Sequence, residues 1–226
     1  MTPTSTATCT SALDAISWET LVKPGDLVFD VGAGDGAMTD RLVARGARVV
    51  CVEAHPTRAS ALRDRYGVAR GAGRLVGAAA GAGAASVVVV DMGLANRTGR
   101  IPTSTPGVAI KLTTLDEMIR AFGTPSYCRI DVGGDPEAIL DGLTVATEPA
   151  IPLLSFEFKA ARLENMRRAV ERLARLGYRR FNWCRSPRSE LVASGWPGAR
   201  DLLDEIVSES AGLDGTSLRG DLFARG

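Results

Sequence analysis

Histidine occurs once in this chain, and the four cysteines stand far apart at Cys9, Cys51, Cys128 and Cys184. No CxxC pair and no Cys/His cluster has the spacing of a zinc site, so a structural zinc module is excluded. Cys51 and Cys128 fall inside apolar runs and are expected as reduced core residues. Charge of one sign is also lacking: 27 basic against 26 acidic residues give +1. Such a balance raises no global field for nucleic acid or an acidic membrane, and neither is an expected partner. No run approaches the roughly 18 apolar residues of a membrane span. The opening MTPTSTATCTS is polar, without the apolar core of a signal peptide, so the expected setting is cytoplasmic. The phosphate-binding pattern GxxxxGK[ST] is missing, and no internal repeat is visible.

What is present fits one domain over 1–226, with 1–12 as a loose tail: 226 residues, 45% of them hydrophobic, suffice for one sizeable core. SALDAISWETLV reads as a lead-in helix and KPGD as a turn. DLVFDV, ARVVCVEA and a short GRLVGAAAG read as strands, and AMTDRLVARG and HPTRASALRDRYG as the helices between them. ASVVVVDMG and GVAIKLTTL read as a β pair around a polar loop, a small hairpin near 86–112 offering a substrate flap or a homodimer contact. LDEMIRAFG is a helix, SYCRIDVGG a strand, and DPEAILDGL a helix with Asp135 as N-cap and Pro136 first. PLLSFEF, the long amphipathic ARLENMRRAVERLARLG, then YRRFNW and GDLFAR complete the order. Alternating β and α segments predict an open, mainly parallel sheet with helices on both faces, its ligands at the carboxyl ends of the strands.

The stretch FDVGAGDG carries glycines at 32, 34 and 36 after a buried strand, with Asp30 and Asp35 close by. Read as GxGxG, the loop suits S-adenosylmethionine; read as GxGxxA, ending on Ala37, it also satisfies the dinucleotide fingerprint. Glu53 ends the second strand and suits either ligand, since an acid there accepts both hydroxyl protons of a ribose. The acids favour the methyl donor. A pyrophosphate on the loop would be crowded by Asp30 and Asp35, whereas a sulfonium and an ammonium are held by carboxylates. An alternative role for the two acids is to bond loop amides.

VKPGDLVFDVGAGDG, VVCVEAHP, TTLDEMI, CRIDVGGDPEAILDGL, PLLSFEF and the terminal GDLFAR, taken in order, resemble the FkbM family of S-adenosylmethionine-dependent methyltransferases. The likeness runs from about Val22 to the end. It implies an α/β fold: a class I methyltransferase-like (Rossmann-like), mainly parallel seven-stranded sheet with helices on both faces. It also implies S-adenosyl-L-methionine as cofactor and O-methylation of a small hydroxylated acceptor, a sugar or natural product. Asp30, Gly32, Gly34 and Gly36 would line the cofactor loop, Glu53 would take the ribose, and Ala54 would lie by the adenine. Two positions depart from the family pattern: Arg129 stands for its lysine, and Gly133 for an acid.

An alcohol needs a base to take its proton during methyl transfer. Asp131, at the end of the fourth core strand, is the first candidate, with the alternative that it caps a loop or holds the cofactor ammonium. Glu157 in SFEF is the second, as a partner of the substrate hydroxyl. Two carboxylates make a thin magnesium site, and no metal is expected. His55 follows the ribose strand and is expected on the adenosine side as a loop residue. Trp183 is expected in the core and Trp196, in SGWPG, in an exposed loop or lid. Competing readings are a non-catalytic cofactor-binding protein of the same fold, which Gly133 motivates, and an NAD-dependent oxidoreductase, which lacks a Tyr-xxx-Lys constellation here.

Overall fold

A computed structural model describes residues 17–66, 76–77, 86–90, 92–94, 111–133, 136–144, 149–188, 190–211 and 218–226. The expected N-terminal tail, the N-cap at Asp135 and the loop between the two β segments lie outside the described residues. So does the first half of the lead-in helix, 11–16; in its second half a 3₁₀ turn, Trp18–Leu21, is seen.

β1 (Leu27–Val31) is buried at all five positions, as a strand covered on both faces must be. It pairs in parallel with β2 (Arg48–Val52) on one side and β7 (Tyr127–Ile130) on the other. Between β1 and β2 runs α1 (Ala37–Ala44), and after β2 comes α2 (Pro56–Tyr66). β3 (Val76–Gly77) lies antiparallel to β4 (Ser86–Val90), which pairs in parallel with β2. β5 (Met92–Leu94) and β6 (Lys111–Thr113) follow, then α3 (Leu115–Phe122). α3 opens with a capping box between Thr114 and Glu117. Beyond β7 come α4 (Pro136–Leu140), β8 (Leu153–Lys159), a 3₁₀ turn and α5 (Leu163–Arg175). β9 (Arg180–Arg185), α6 (Ala199–Ala211) and β10 (Arg219–Arg225) end the chain.

The main sheet runs β3-β4-β2-β1-β7-β8-β10-β9, and β10 is antiparallel to both its neighbours. Without the two-residue edge strand β3, these are the seven strands of the class I methyltransferase fold. Phe29, Ile130, Phe156 and Trp183 face the layer of α3 to α6. Val28, Cys51, Tyr127 and Phe223 face the layer of α1 and α2. No helix among the described residues is long and apolar enough to cross a membrane.

Three expectations need correction. The β pair near 86–112 is not a hairpin. SVVVV is an inner strand of the main sheet, as four successive valines suit a strand covered on both faces. β5 and β6 pair in parallel, which a tight turn cannot connect. The third parallel strand is therefore β4, and the segment expected in that place supplies only the antiparallel edge β3. Trp196 is no free lid: it is partly buried against the α1-side core, with the Arg225 guanidinium 5.7 Å from its ring. α6 was not among the expected elements, although its buried Leu202, Ile206 and Ser210 stand four apart on one face.

Candidate functional site

The carboxyl ends of β1, β2, β7 and β8 meet at one edge of the sheet, and the glycine loop crosses it. Gly32 and Ala33 donate to the Val52 carbonyl at 2.8 and 3.1 Å, tying the loop to β2. All three glycines have left-handed φ, but their surroundings differ. A Cβ on Gly32 would lie 1.9 Å from the Asp131 carbonyl oxygen, and one on Gly36 2.7 Å from the Leu62 side chain. A Cβ on Gly34 would meet nothing closer than 4.0 Å, its own loop. Gly32 and Gly36 thus answer to packing, and Gly34 alone looks out on open space.

Glu53, 6% exposed, reaches across that opening. One carboxylate oxygen accepts the Gly34 amide at 2.8 Å and the other the His55 amide at 2.7 Å. A carboxylate offers about four acceptor positions, so two remain for ligand hydroxyls. Ala54, half-buried, sits between Glu53 and His55. His55 follows directly, and its Nδ1 is buried with no hydrogen-bond partner among the described residues.

Asp35 turns away from the loop opening. Its carboxylate accepts the Ala37 amide at 3.1 Å, at the start of α1, while Arg65 donates to its carbonyl at 3.1 Å. The alternative of a loop-amide role is what Asp35 does. Asp30 also departs from the direct ligand contact proposed for it. Its side chain is fully buried under α1, accepting from the Thr39 hydroxyl at 2.6 Å and from Arg129 at 3.2 Å. The cause is its inward position on a central strand, on the face that α1 covers. Burial pushes the Asp30 carboxyl above the usual carboxylate range, against the pull of Arg129.

Arg129 spans two carboxylates, reaching Asp30 with one terminal nitrogen and Asp131 with the other. Burial opposes its charge, but Asp30, Asp131 and Asp221 hold its proton more firmly than in water. Asp131 does face the cleft, 31% exposed, with its carboxylate engaged by Arg129. Glu157 is 27% exposed and lies 3.5 Å from Lys159 Nζ. Asp221 is the residue the sequence reading missed. It lies on β10 directly opposite Glu157 of β8, and burial raises its carboxyl above the ordinary value. The available signal was one acid inside GDLFAR, an otherwise apolar strand. Asp131, Glu157 and Asp221 thus gather beside Arg129 at the end of the sheet where ligands bind.

A small cavity adjoins these acids. Ile130, Phe156, Phe158 and Met166 are among its apolar walls, and Glu157, Lys159, Arg162 and Asn165 are its polar ones. Gly133 lies on its rim at φ +65°, and a side chain there would meet nothing within 4 Å.

No protein-family model matches the chain. A stretch of 57 residues is 40% identical to a probable ribosomal RNA small subunit methyltransferase A of Methanosarcina mazei, covering 25% of this chain and 21% of that protein. Ribosomal RNA small subunit methyltransferase A of Anaeromyxobacter dehalogenans is 46% identical over 57 residues, 25% of this chain and 20% of its own. The chain thus spans about a fifth of the length of the curated relatives it matches. Among solved structures, precorrin-6y C5,15-methyltransferase from Geobacter metallireducens GS-15 is similar over 92% of this chain and 86% of its own, with 13% identity and a TM-score of 0.47.

Proposed function

We propose that this chain is an S-adenosylmethionine-dependent methyltransferase acting on a hydroxyl of a small molecule. The observation that carries the reading is Glu53, fixed by the Gly34 and His55 amides across a loop that opens only at Gly34. A carboxylate so held, with acceptor positions to spare, suits the two hydroxyls of a ribose. The start of α1 speaks against a dinucleotide: Asp35 already accepts from its Ala37 amide, where a pyrophosphate would need a donor.

Bound there, the cofactor supplies an electrophilic methyl group on a sulfonium. Gly34 leaves it room, Glu53 orients its ribose, and Ala54 borders the adenine. Asp131, steadied by Arg129, faces the cationic end in the role first assigned to Asp30. Glu157 receives the hydroxyl proton as the acceptor oxygen attacks, since its 3.5 Å contact with Lys159 is looser than the pairing of Asp131 with Arg129. Holding that oxygen in line with the methyl carbon is the larger part of the catalysis.

The stretch shared with the ribosomal RNA enzymes favours a second reading, an RNA acceptor. A net charge of +1 supplies little attraction for such a polyanion.

Calorimetric titration with S-adenosylmethionine, S-adenosylhomocysteine and NAD tests the cofactor. The first two bind in the micromolar range and NAD is silent. Glu53→Gln weakens both by about tenfold, the value of one good hydrogen bond. Binding of NAD alone overturns the reading. Transfer of labelled methyl to a panel of hydroxylated small molecules, with RNA alongside, then decides the acceptor.

A further inference from the structure

We propose that the acceptor is an oxyanion-bearing hydroxylated molecule, its carboxylate or phosphate held by Lys159 and Arg162 and its hydroxyl presented to Glu157. This rests on the methyltransferase reading and names the substrate class of that same site.

The cavity beside the acid cluster lies where an acceptor must, at the carboxyl ends of β7 and β8. Among the described residues its charged lining is two cations, Lys159 and Arg162, against one carboxylate, Glu157. Gly133 on the rim adds no side chain to that lining. Arg162 is under-used. Among the described residues its hydrogen bond is a 3.3 Å contact to the Gly133 carbonyl, while a guanidinium carries five donors in a fork that matches an oxyanion. Lys159 is also available: it lies 3.5 Å from Glu157, beyond ordinary hydrogen-bond length, and is 46% exposed.

The arrangement couples binding to chemistry. An oxyanion between the cations draws Lys159 off Glu157, leaving that carboxylate to meet the hydroxyl. In the transfer the oxygen–methyl bond forms as the sulfonium–methyl bond breaks, the bonding pair leaves with sulfur, and the hydroxyl proton passes to Glu157. The products are the methyl ether, S-adenosylhomocysteine and a proton later released to water.

The experiment titrates the full chain, saturated with S-adenosylhomocysteine, with matched pairs: 4-hydroxybenzoate against 4-hydroxybenzamide, and glucose 6-phosphate against glucose. In one pair or both, the anion binds about tenfold tighter than its neutral mate, as a charge-assisted contact predicts. Which pair responds tells a carboxylate from a phosphate. Arg162→Leu and Lys159→Met each reduce the preference, and the double variant abolishes it, with affinity for S-adenosylhomocysteine unchanged. The inference is overturned if the neutral mates bind as well as the anions, if the preference survives the double variant, or if no probe binds a complex that holds S-adenosylhomocysteine. Failure of the wild-type chain to bind S-adenosylhomocysteine sinks the cofactor reading itself, and the inference with it.

Discussion

Gly32 and Gly34 share the sign of φ and little else. At Gly32 a methyl group collides with the Asp131 carbonyl at 1.9 Å, and neither backbone can give way without breaking the β1–β7 register. At Gly34 the same methyl enters open space, and the cost is the left-handed backbone, about 1–2 kcal/mol. Gly32→Ala is therefore expected to lose about 4 kcal/mol or more in urea denaturation, in the range reserved for strain and steric conflict. Gly34→Ala folds with a modest loss yet no longer binds S-adenosylhomocysteine, because the methyl occupies the ligand's room. A stable Gly32→Ala, or full binding by Gly34→Ala, reverses the assignment. The pattern GAGDG shows in the sequence that a loop binds something; it does not show which glycine touches the ligand. Asp30 makes the same point. Its place before the loop was legible, but its burial depends on α1 landing over it and on Arg129 arriving from a strand 99 positions away.

Between elements, the pairing of β10 with β8 sets Asp221 opposite Glu157. Like charges directly opposite on paired strands destabilise the sheet, and burial adds to the effect at Asp221. Its carboxyl is raised above its unfolded value of 3.8, so the native state holds that proton more tightly than the unfolded chain. The associated stability is fully present below that unfolded value and is lost as pH rises through the folded one. An asparagine carries no such loss. Asp221→Asn is expected to be more stable than the parent at pH 7, with the gap closing as the pH falls toward about 4. Urea midpoints across that range measure it, and a less stable variant at neutral pH contradicts the sign. This pair was not legible locally. SFEF and GDLFAR read as strands, but their register is set by tertiary pairing. Local pattern failed in the same way at SVVVV, whose strand character was plain and whose place in the main sheet was not.

For the molecule as a whole, the alternation of strands and helices made the parallel part of the sheet legible, because each β-α-β step has one favoured hand. The end of the chain breaks that rule: β10 returns antiparallel between β8 and β9, and no local signal marks the insertion. The consequence is that the last strand is central to the sheet. It pairs with β8 along seven residues and with β9 along six. Leu222 and Phe223 are 0% and 1% exposed, and burying two such side chains contributes about 3–6 kcal/mol. Beyond that, β9 pairs with no other named strand among the described residues, and β8 is left with an open, apolar edge. A domain stable by about 5–15 kcal/mol does not survive the sum. A chain ending at Leu218 is therefore expected to show no cooperative thermal transition, whereas the 226-residue chain carrying Phe223→Leu keeps one. A sharp transition in the shortened chain places the stability in the parallel strands alone and overturns the central role given to β10.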